Sequence, residues 1–476
     1  MSLKTRSFLI FITLLGVAWP TSRLSGQVTV SCDLQENFII LGCFGGLDCI
    51  PALTNPAILK ASEASYLLDS DLVLGVYQNG VARAYPHPIL WWHEIVNDTL
   101  GGEMFTVSFC PLTSTGLLFD ATFNDEEHTF GVAGLLYNNN LIMYDRLSGN
   151  TFFPQMCYLG NVRNQNEDEF DFVLTGDHLE LLPIIETTWG VWKALYPNTT
   201  VLSDNTGFSR DYSRYPYGTY RSNNGLLLFP ITKEDLRLNR KDIIFGLTLN
   251  NIERAYPFKL MGERAVLNDD VGGAKVVVLY SKEAKLAVAF YREVDGQVLN
   301  FELQDVLGSA LITFGDNETG TIWNMKGEAI SGPLAVNRTS LEQVPAYNAM
   351  WFAWGAFWEQ PEIADIESLI TSVDRPDDDL VPPRDFSLLQ NFPNPFNPST
   401  KITFELTEPG VVTLKIYDLL GREVRTLLNN EKQSSGRKSV AWDGTNDLGE
   451  RVASGVYLYQ LQSGIFKQTR KMILMR

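Results

Sequence analysis

Histidine and cysteine are scarce in this chain of 476 residues, which has four of the first and five of the second. None of the cysteines forms the paired Cys-x-x-Cys pattern of a structural zinc site. Basic residues are outnumbered too, 38 Lys and Arg against 56 Asp and Glu, for a net charge of −18. Nucleic acid is held by a basic face, so this balance argues against nucleic-acid binding. Phosphate-cradling glycine loops are missing, both GxxxxGK[ST] and a GxGxxG opening a helix, and so is the GxSxG nucleophile elbow. No apolar run reaches 18 residues, so no transmembrane segment is expected in the mature chain.

What is present reads as globular, with 45% hydrophobic and 20% charged residues. The length exceeds one ordinary core, so two or three domains are expected. Charge is uneven. Residues 385–476 hold 12 basic and 9 acidic residues, net +3, while the remainder holds 26 and 47, net −21, which marks the C-terminal segment as a separate module. At the start, Lys4 and Arg6 precede the apolar run Phe8–Trp19, the pattern of a secretory signal with cleavage after Gly26, a short N-terminal anchor helix being the alternative. Export permits disulfides, and Cys32, Cys43 and Cys49 could tie down residues 27–69. An odd count leaves at least one thiol unpaired, with Cys110 and Cys157 the remaining cysteines.

An internal repeat organises the middle. "LVLGVYQNGVARAYP" (72–86) and "IIFGLTLNNIERAYP" (243–257) align at an offset of 171, which also carries Asn97-Asp98 to Asn268-Asp269 and Phe130 to Phe301. Farther on, an offset of 162 links Trp189 and Trp192 to Trp351 and Trp354, so a longer loop is expected in the first copy, within 161–172. Asn79-Gly80 and Asn250-Asn251 read as two-residue hairpin tips. In the strand that follows, Phe105, Val107 and Phe109 share one face, and Thr106, Ser108 and Cys110 the other. The aromatic segments around Trp189 and Trp351 read as short core helices. Asn97 and Asp98, present in both copies, are expected to shape turns.

Chemistry is sought among residues found in one copy only. His87 aligns with Phe258, His93 with Arg264 and Cys110 with Ser281. His93 and Cys110 suit a zinc or copper ion, or alternatively form a thiolate–imidazole pair, and His87, Glu94 and Asp98 could complete either arrangement, with His87 the added metal ligand and Glu94 the added catalytic residue. The bland alternative is a buried small hydrophobe and a satisfied core histidine. Tyr137, Asn138, Tyr144 and Asp145 could line a polar, sugar-binding pocket, though turn chemistry explains the asparagines and Asp145 equally well. His128 and His178, in polar stretches, are expected at the surface.

The segments "NGVARAYPHPILWWHEIVNDTLGG", "SFCPLT" and "FGVAGLLYNNNLIMYDR" resemble the domain of unknown function 3179 family over about residues 50–365. The resemblance implies an exported prokaryotic protein and no established activity. Where many members carry a second cysteine, in Cys-Pro-Leu-Cys, this chain has Thr113, which disfavours a dithiol centre. "LLQNFPNPFNPSTKITFEL" (388–406), "VTLKIYDLLGREVRTL" (412–427) and "SGVYLYQLQSGIFKQTRKMILMR" (454–476) resemble the type IX secretion sorting domain, a small immunoglobulin-like sandwich of the Bacteroidetes and relatives. That resemblance implies engagement of the type IX machinery and delivery outside, or to the surface of, a Gram-negative cell.

The expected architecture is mainly β with short helices (α+β): a duplicated two-lobed β-rich core and a C-terminal immunoglobulin-like β-sandwich. Its parts are a signal (1–26), a Cys-containing segment (27–69), two lobes (70–240 and 241–370), an acidic Pro-rich linker (371–384) and the sorting domain (385–476). Three functions stay open: an enzyme with a thiol or metal centre, a non-catalytic surface module binding a sugar, peptide or polymer, and a plain structural surface protein.

Overall fold

The computed structural model describes residues 34, 38–163, 172–304, 311–373, 387, 388, 391, 393–406, 410–418, 422–434, 436–463 and 466–475. The expected signal 1–26 and loop residues 164–171 lie outside them. Strands dominate, and the longest α-helices among the described residues have seven residues. None is long and apolar enough to cross a membrane. The chain divides into two compact units, with the boundary between residues 374 and 375.

In the first unit, strands β1 (Leu72–Gln78) and β2 (Val81–Pro86) pair as a hairpin. Asn79 (φ +47°) and Gly80 (φ +83°) form its tip, with both φ values positive as a two-residue primed turn requires. Pro86 leads directly into helix α1 (His87–His93), with Pro88 in its first turn, where a missing N–H costs nothing. A meander follows: β3 (Ile95–Leu100), β4 (Glu103–Cys110) and β5 (Thr115–Asp120). Next come β6 (Phe130–Tyr137) and β7 (Asn140–Asp145) in a second sheet, and then β8 (Ile185–Thr188), α2 (Trp189–Leu195) and β9 (Thr200–Leu202). Strand β8 pairs antiparallel with β1, and β9 runs parallel to β2. At the expected longer loop, Leu159–Arg163 and Phe172–His178 pair as two strands.

The second half begins with β10 (Ile243–Leu249) and β11 (Ile252–Pro257), joined through Asn250 (φ +50°) and Asn251 (φ +63°). The meander β12 (Arg264–Val271), β13 (Ala274–Ser281) and β14 (Leu286–Tyr291) precedes β15 (Phe301–Gln304), β16 (Tyr347–Met350) and α3 (Trp351–Phe357). Strand β16 pairs antiparallel with β10, and Glu362–Ile363 runs parallel to β11. Residues 370–373 pair with β12, so the core extends into the expected linker; residues 374–384 lie outside the described residues.

Close contacts explain several identities. A Cβ on Gly75 would lie 2.3 Å from the Trp192 ring, and one on Gly246 would lie 2.4 Å from the Trp354 ring, so each indole packs directly on bare backbone. Asn97 and Asp98 correct the turn expectation, because both sit inside β3. The buried Asn97 amide donates to the Phe130 carbonyl at 2.9 Å and accepts the Phe130 N–H at 2.8 Å, stitching β3 to β6. Asn268 does the same for Phe301, at 2.8 and 2.9 Å. Asp98 accepts from the Tyr85 hydroxyl at 2.7 Å and Asp269 from the Tyr256 hydroxyl at 2.7 Å.

The second unit has Ser387–Leu388, Thr400–Leu406 and Gly436–Trp442 in one sheet. Glu423–Gln433, Gly410–Tyr417, Gly455–Ser463 and Phe466–Leu474 form the other. Val412, Leu414 and Ile416 point inward with strand periodicity and share a core with Ile402, Phe404, Trp442 and Tyr459, as in an immunoglobulin-like domain.

Candidate functional site

Helix α1 ends at Glu94, whose N–H still bonds the Leu90 carbonyl at 2.9 Å. Its φ of +56° is left-handed, a conformation that a side chain with a Cβ adopts at a cost. The turn is held from the other side, where the Phe109 N–H donates to the Glu94 carbonyl at 2.7 Å. Glu94 is thereby delivered beside the end of β4. Its side chain is 5% exposed and, with Cys110, Leu112 and Tyr217, lines a cavity of about 90 Å³. Burial pushes the Glu94 carboxyl up to about 8, and no hydrogen-bond partner for it is found among the described residues. Burial, and then the Glu94 charge, pushes the Cys110 thiol up to about 11. At neutral pH both groups are mainly protonated.

Alternation along β4 acts as the sequence predicts in one respect. Phe105, Val107 and Phe109 pack in one core and Cys110 in another. Cys110 nevertheless does not face an open polar cleft: its Sγ donates to the Asn139 carbonyl at 3.4 Å within an apolar cluster. Cys43 and Cys49 are joined by a disulfide, Cys157 is also disulfide-bonded, and Cys110 is the free thiol among the described residues. Cys32 lies outside the described residues. Cys43 contributes to the same cavity as Cys110.

His93 is engaged elsewhere. Its Nδ1 lies 2.7 Å from the Pro51 carbonyl, which can only accept, so Nδ1 carries the proton. With the ring neutral, Nε2 accepts from the Tyr212 hydroxyl at 2.7 Å, and Tyr212 in turn takes a hydrogen bond from Thr206 at 2.5 Å. Burial, assisted by Arg210 against the pull of the Pro51 bond, holds the imidazole below its ordinary pKa. The expected thiolate–imidazole pair is therefore not formed, since His93 and Cys110 each bond another partner. Nor are His93, Cys110 and His87 gathered as metal ligands: no group of three or more His, Cys, Asp or Glu among the described residues could hold an ion.

His87 is 2% exposed, and neither ring nitrogen has a hydrogen-bond partner. Its Nε2 lies 3.9 Å from Glu186 Oε2. Burial, and then the Arg221 charge, lowers His87 to about 3, so this is a contact of a neutral imidazole and not an ion pair.

The residues considered for sugar binding serve the fold. Tyr137 packs edge-on against Phe357 at 5.5 Å. Asn138 (φ +51°) turns the β6–β7 hairpin, accepting the Thr232 N–H at 2.7 Å and donating to the Ala356 carbonyl at 3.3 Å. Tyr144 donates to Asp48 at 2.5 Å. Asp145 accepts the Leu147 and Ser148 N–H groups at 3.0 and 2.9 Å and bonds His128 at 3.0 Å. His128 is buried against Phe123, contrary to the surface expectation, while His178 is exposed.

Sequence reasoning named no site residue in the segment that covers the site. Within 203–221, Tyr212 bonds His93, Tyr215 donates to the Pro111 carbonyl at 2.9 Å, and Tyr217 lines the Cys110 cavity. Arg221 lies over the Trp91 ring. The available signal was the aromatic density of "YSRYPYGTYR", 212–221, in a stretch that no counterpart repeats.

Residues 47–361 match the family model described as "Protein of unknown function (DUF3179)", and residues 393–464 match the FlgD Ig-like domain. No curated protein matches the chain. Among solved structures, FlgD from P. aeruginosa is 26% identical over 16% of this chain and 58% of its own, with a TM-score of 0.13. Dimeric latent PorU from Porphyromonas gingivalis is 12% identical over 70% of this chain and 31% of its own, with a TM-score of 0.18. PorZ, described as a surface component of the type IX secretion system of the same organism, is 10% identical over 85% and 56%, with a TM-score of 0.15. The chain thus spans less than two thirds of each, and scores this low carry no argument about fold or function.

Proposed function

The chain belongs to the DUF3179 family of proteins of unknown function, so its chemistry must come from its own residues, and we propose an exported bacterial surface protein with a thiol-centred site at Cys110. The observation that carries the site is the pairing of two buried ionisable groups, Cys110 and a hydrogen-bond-free Glu94, on one cavity. A carboxyl kept in an apolar wall costs stability that a purely structural residue would not require. In this reading a small electrophilic ligand enters beneath Tyr217. The Cys110 sulfur adds to a carbonyl carbon of that ligand, the C=O π pair moves to the oxygen, and the protonated Glu94 carboxyl gives its proton to that oxygen while taking up the thiol proton, so that a hemithioacetal forms and Glu94 ends protonated. His93, bonded to Pro51 and Tyr212, takes no part in the proton transfer.

The site stands on a core that we read as a duplication. Supporting this are hairpin tips and Asn-to-backbone stitches that recur 171 residues apart, and glycine–tryptophan contacts whose glycines are 171 and whose tryptophans are 162 residues apart. Delivery is assigned to residues 385–476 as a type IX sorting domain, on the strength of their sequence resemblance and immunoglobulin-like form. Reactivity of Cys110 tests the site. A maleimide should label it in the folded wild-type chain, be blocked by a bound ligand, and fail on Cys110→Ser. Equal labelling of Cys110→Ser, or none of the folded wild type, would favour the non-catalytic surface module instead. Export is tested separately: removing residues 385–476 should leave a folded core retained in the periplasm, and normal surface delivery of the truncated chain would overturn the sorting assignment.

A further inference from the structure

A second constellation lies on α1 away from the thiol. His87 and Trp91 are four residues apart, so they occupy one face of the helix. That face carries unused polar groups: both ring nitrogens of His87 and Nε1 of Trp91 are buried without hydrogen-bond partners. Oε2 of Glu186, 3.9 Å from His87 Nε2, is also unpartnered. Arg221 covers the same face. Its guanidinium lies 4.9 Å from the Trp91 ring centre and 4.2 Å from that of Tyr215, and it donates no hydrogen bond to a described residue.

These contacts have a chemical sense. A guanidinium stacked on aromatic rings uses its face for the cation–π contact and leaves its N–H edges free. Those edges form the planar fork that matches a carboxylate through two parallel hydrogen bonds. Trp91 adds an indole N–H, and neutral His87 adds one N–H and one acceptor. Buried donors left unpaired are costly unless something pairs them. We infer that Arg221, Trp91 and His87, with Tyr215 as platform and Glu186 at the back, form a binding site for a carboxylate-bearing ligand. The carboxylate takes the Arg221 fork and the Trp91 N–H. Glu186, pushed up to about 7 by burial against the pull of Asn348 and Arg221, presents an O–H to the ligand when protonated. None of these groups belongs to the Cys110 cavity, so the inference stands apart from the thiol reading.

Titration calorimetry on the full chain at constant ionic strength tests this, with acetate, glucuronate and N-acetyl-dialanine as probes, each up to about 50 mM to reach weak affinities. One-to-one binding of the carboxylates is expected, with no binding by the methyl ester of N-acetyl-dialanine. Tighter binding by glucuronate identifies an acidic sugar as the source, and tighter binding by the dipeptide identifies a peptide C-terminus. Arg221→Gln should weaken binding by about tenfold or more, as for loss of a charge-assisted pair, and Trp91→Phe by about threefold or more. Should Arg221→Gln melt early, Arg221→Lys keeps the charge without the fork and should still lose binding. Absence of carboxylate binding, phosphate binding more tightly than every carboxylate, or unchanged affinity in a folded Arg221 variant would each overturn the assignment.

Discussion

Replacing Glu94 by Gln separates the cost of holding an ionisable group in the cavity wall from the cost of its shape. The carboxyl ionises near 4.5 when unfolded and is raised to about 8 when folded. The folded state therefore binds the proton more tightly, and stability is fully present below the unfolded value. It is lost progressively as pH rises from about 4.5 to about 8, because folding then requires taking up a proton or burying a charge. At 1.36 kcal/mol per unit, a rise of three to four units corresponds to about 4–5 kcal/mol. Glu94 is almost fully enclosed, so solvent screening removes little of it. Gln is neutral throughout and lacks this pH term. Urea unfolding of the full-length wild type and Glu94→Gln at pH 5 and pH 9 gives four stabilities. Their double difference cancels the packing effect of the amide and every titrating group not coupled to Glu94; Cys110, whose thiol the Glu94 charge raises, is removed by making the comparison in a Cys110→Ser background. The double difference should favour the variant at pH 9 by several kcal/mol. A double difference near zero would mean that Glu94 is not held in an apolar wall, and the proposed site would lose its main support.

Other outcomes follow from the same contacts. Alkylation of Cys110 by iodoacetamide should be slow at pH 7.5, and Glu94→Gln should accelerate it at pH 9, because removing the carboxylate charge lowers the thiol pKa; equal rates would deny the coupling. Gly75→Ala and Gly246→Ala should each destabilise by about 3 kcal/mol in urea titrations, since the added methyl meets an indole at 2.3 or 2.4 Å. Asn97→Ala should cost about 2–4 kcal/mol by leaving the Phe130 N–H and carbonyl without partners, and a loss below about 0.5 kcal/mol would refute that role.

Local pattern carried much of the fold. Asn79-Gly80 could be placed at a hairpin tip because positive φ at consecutive residues is tolerated by few residue types, and period-two alternation assigned Phe105, Val107 and Phe109 to one face. Asn97 was misjudged for a physical reason. An Asx side chain that bonds its own turn and one that bonds a strand 33 residues away look alike in sequence, and only the second arrangement needs a fold to exist.

The site was less legible because neighbours in sequence need not be neighbours in space. His93 and Glu94 are adjacent, and adjacency suggested one centre with Cys110. The helix ends between them, and the left-handed φ of Glu94 turns the chain sharply at that point. His93 goes to Pro51 and Tyr212, while Glu94 goes to the Cys110 cavity. A residue that adopts a strained backbone and then turns its carboxyl onto a mainly apolar cavity is doubly unfavourable for stability alone. Two such costs at one position are more economically explained by selection for the cavity's chemistry than by packing. The acid, not the histidine, is therefore the residue whose mutation should report on Cys110.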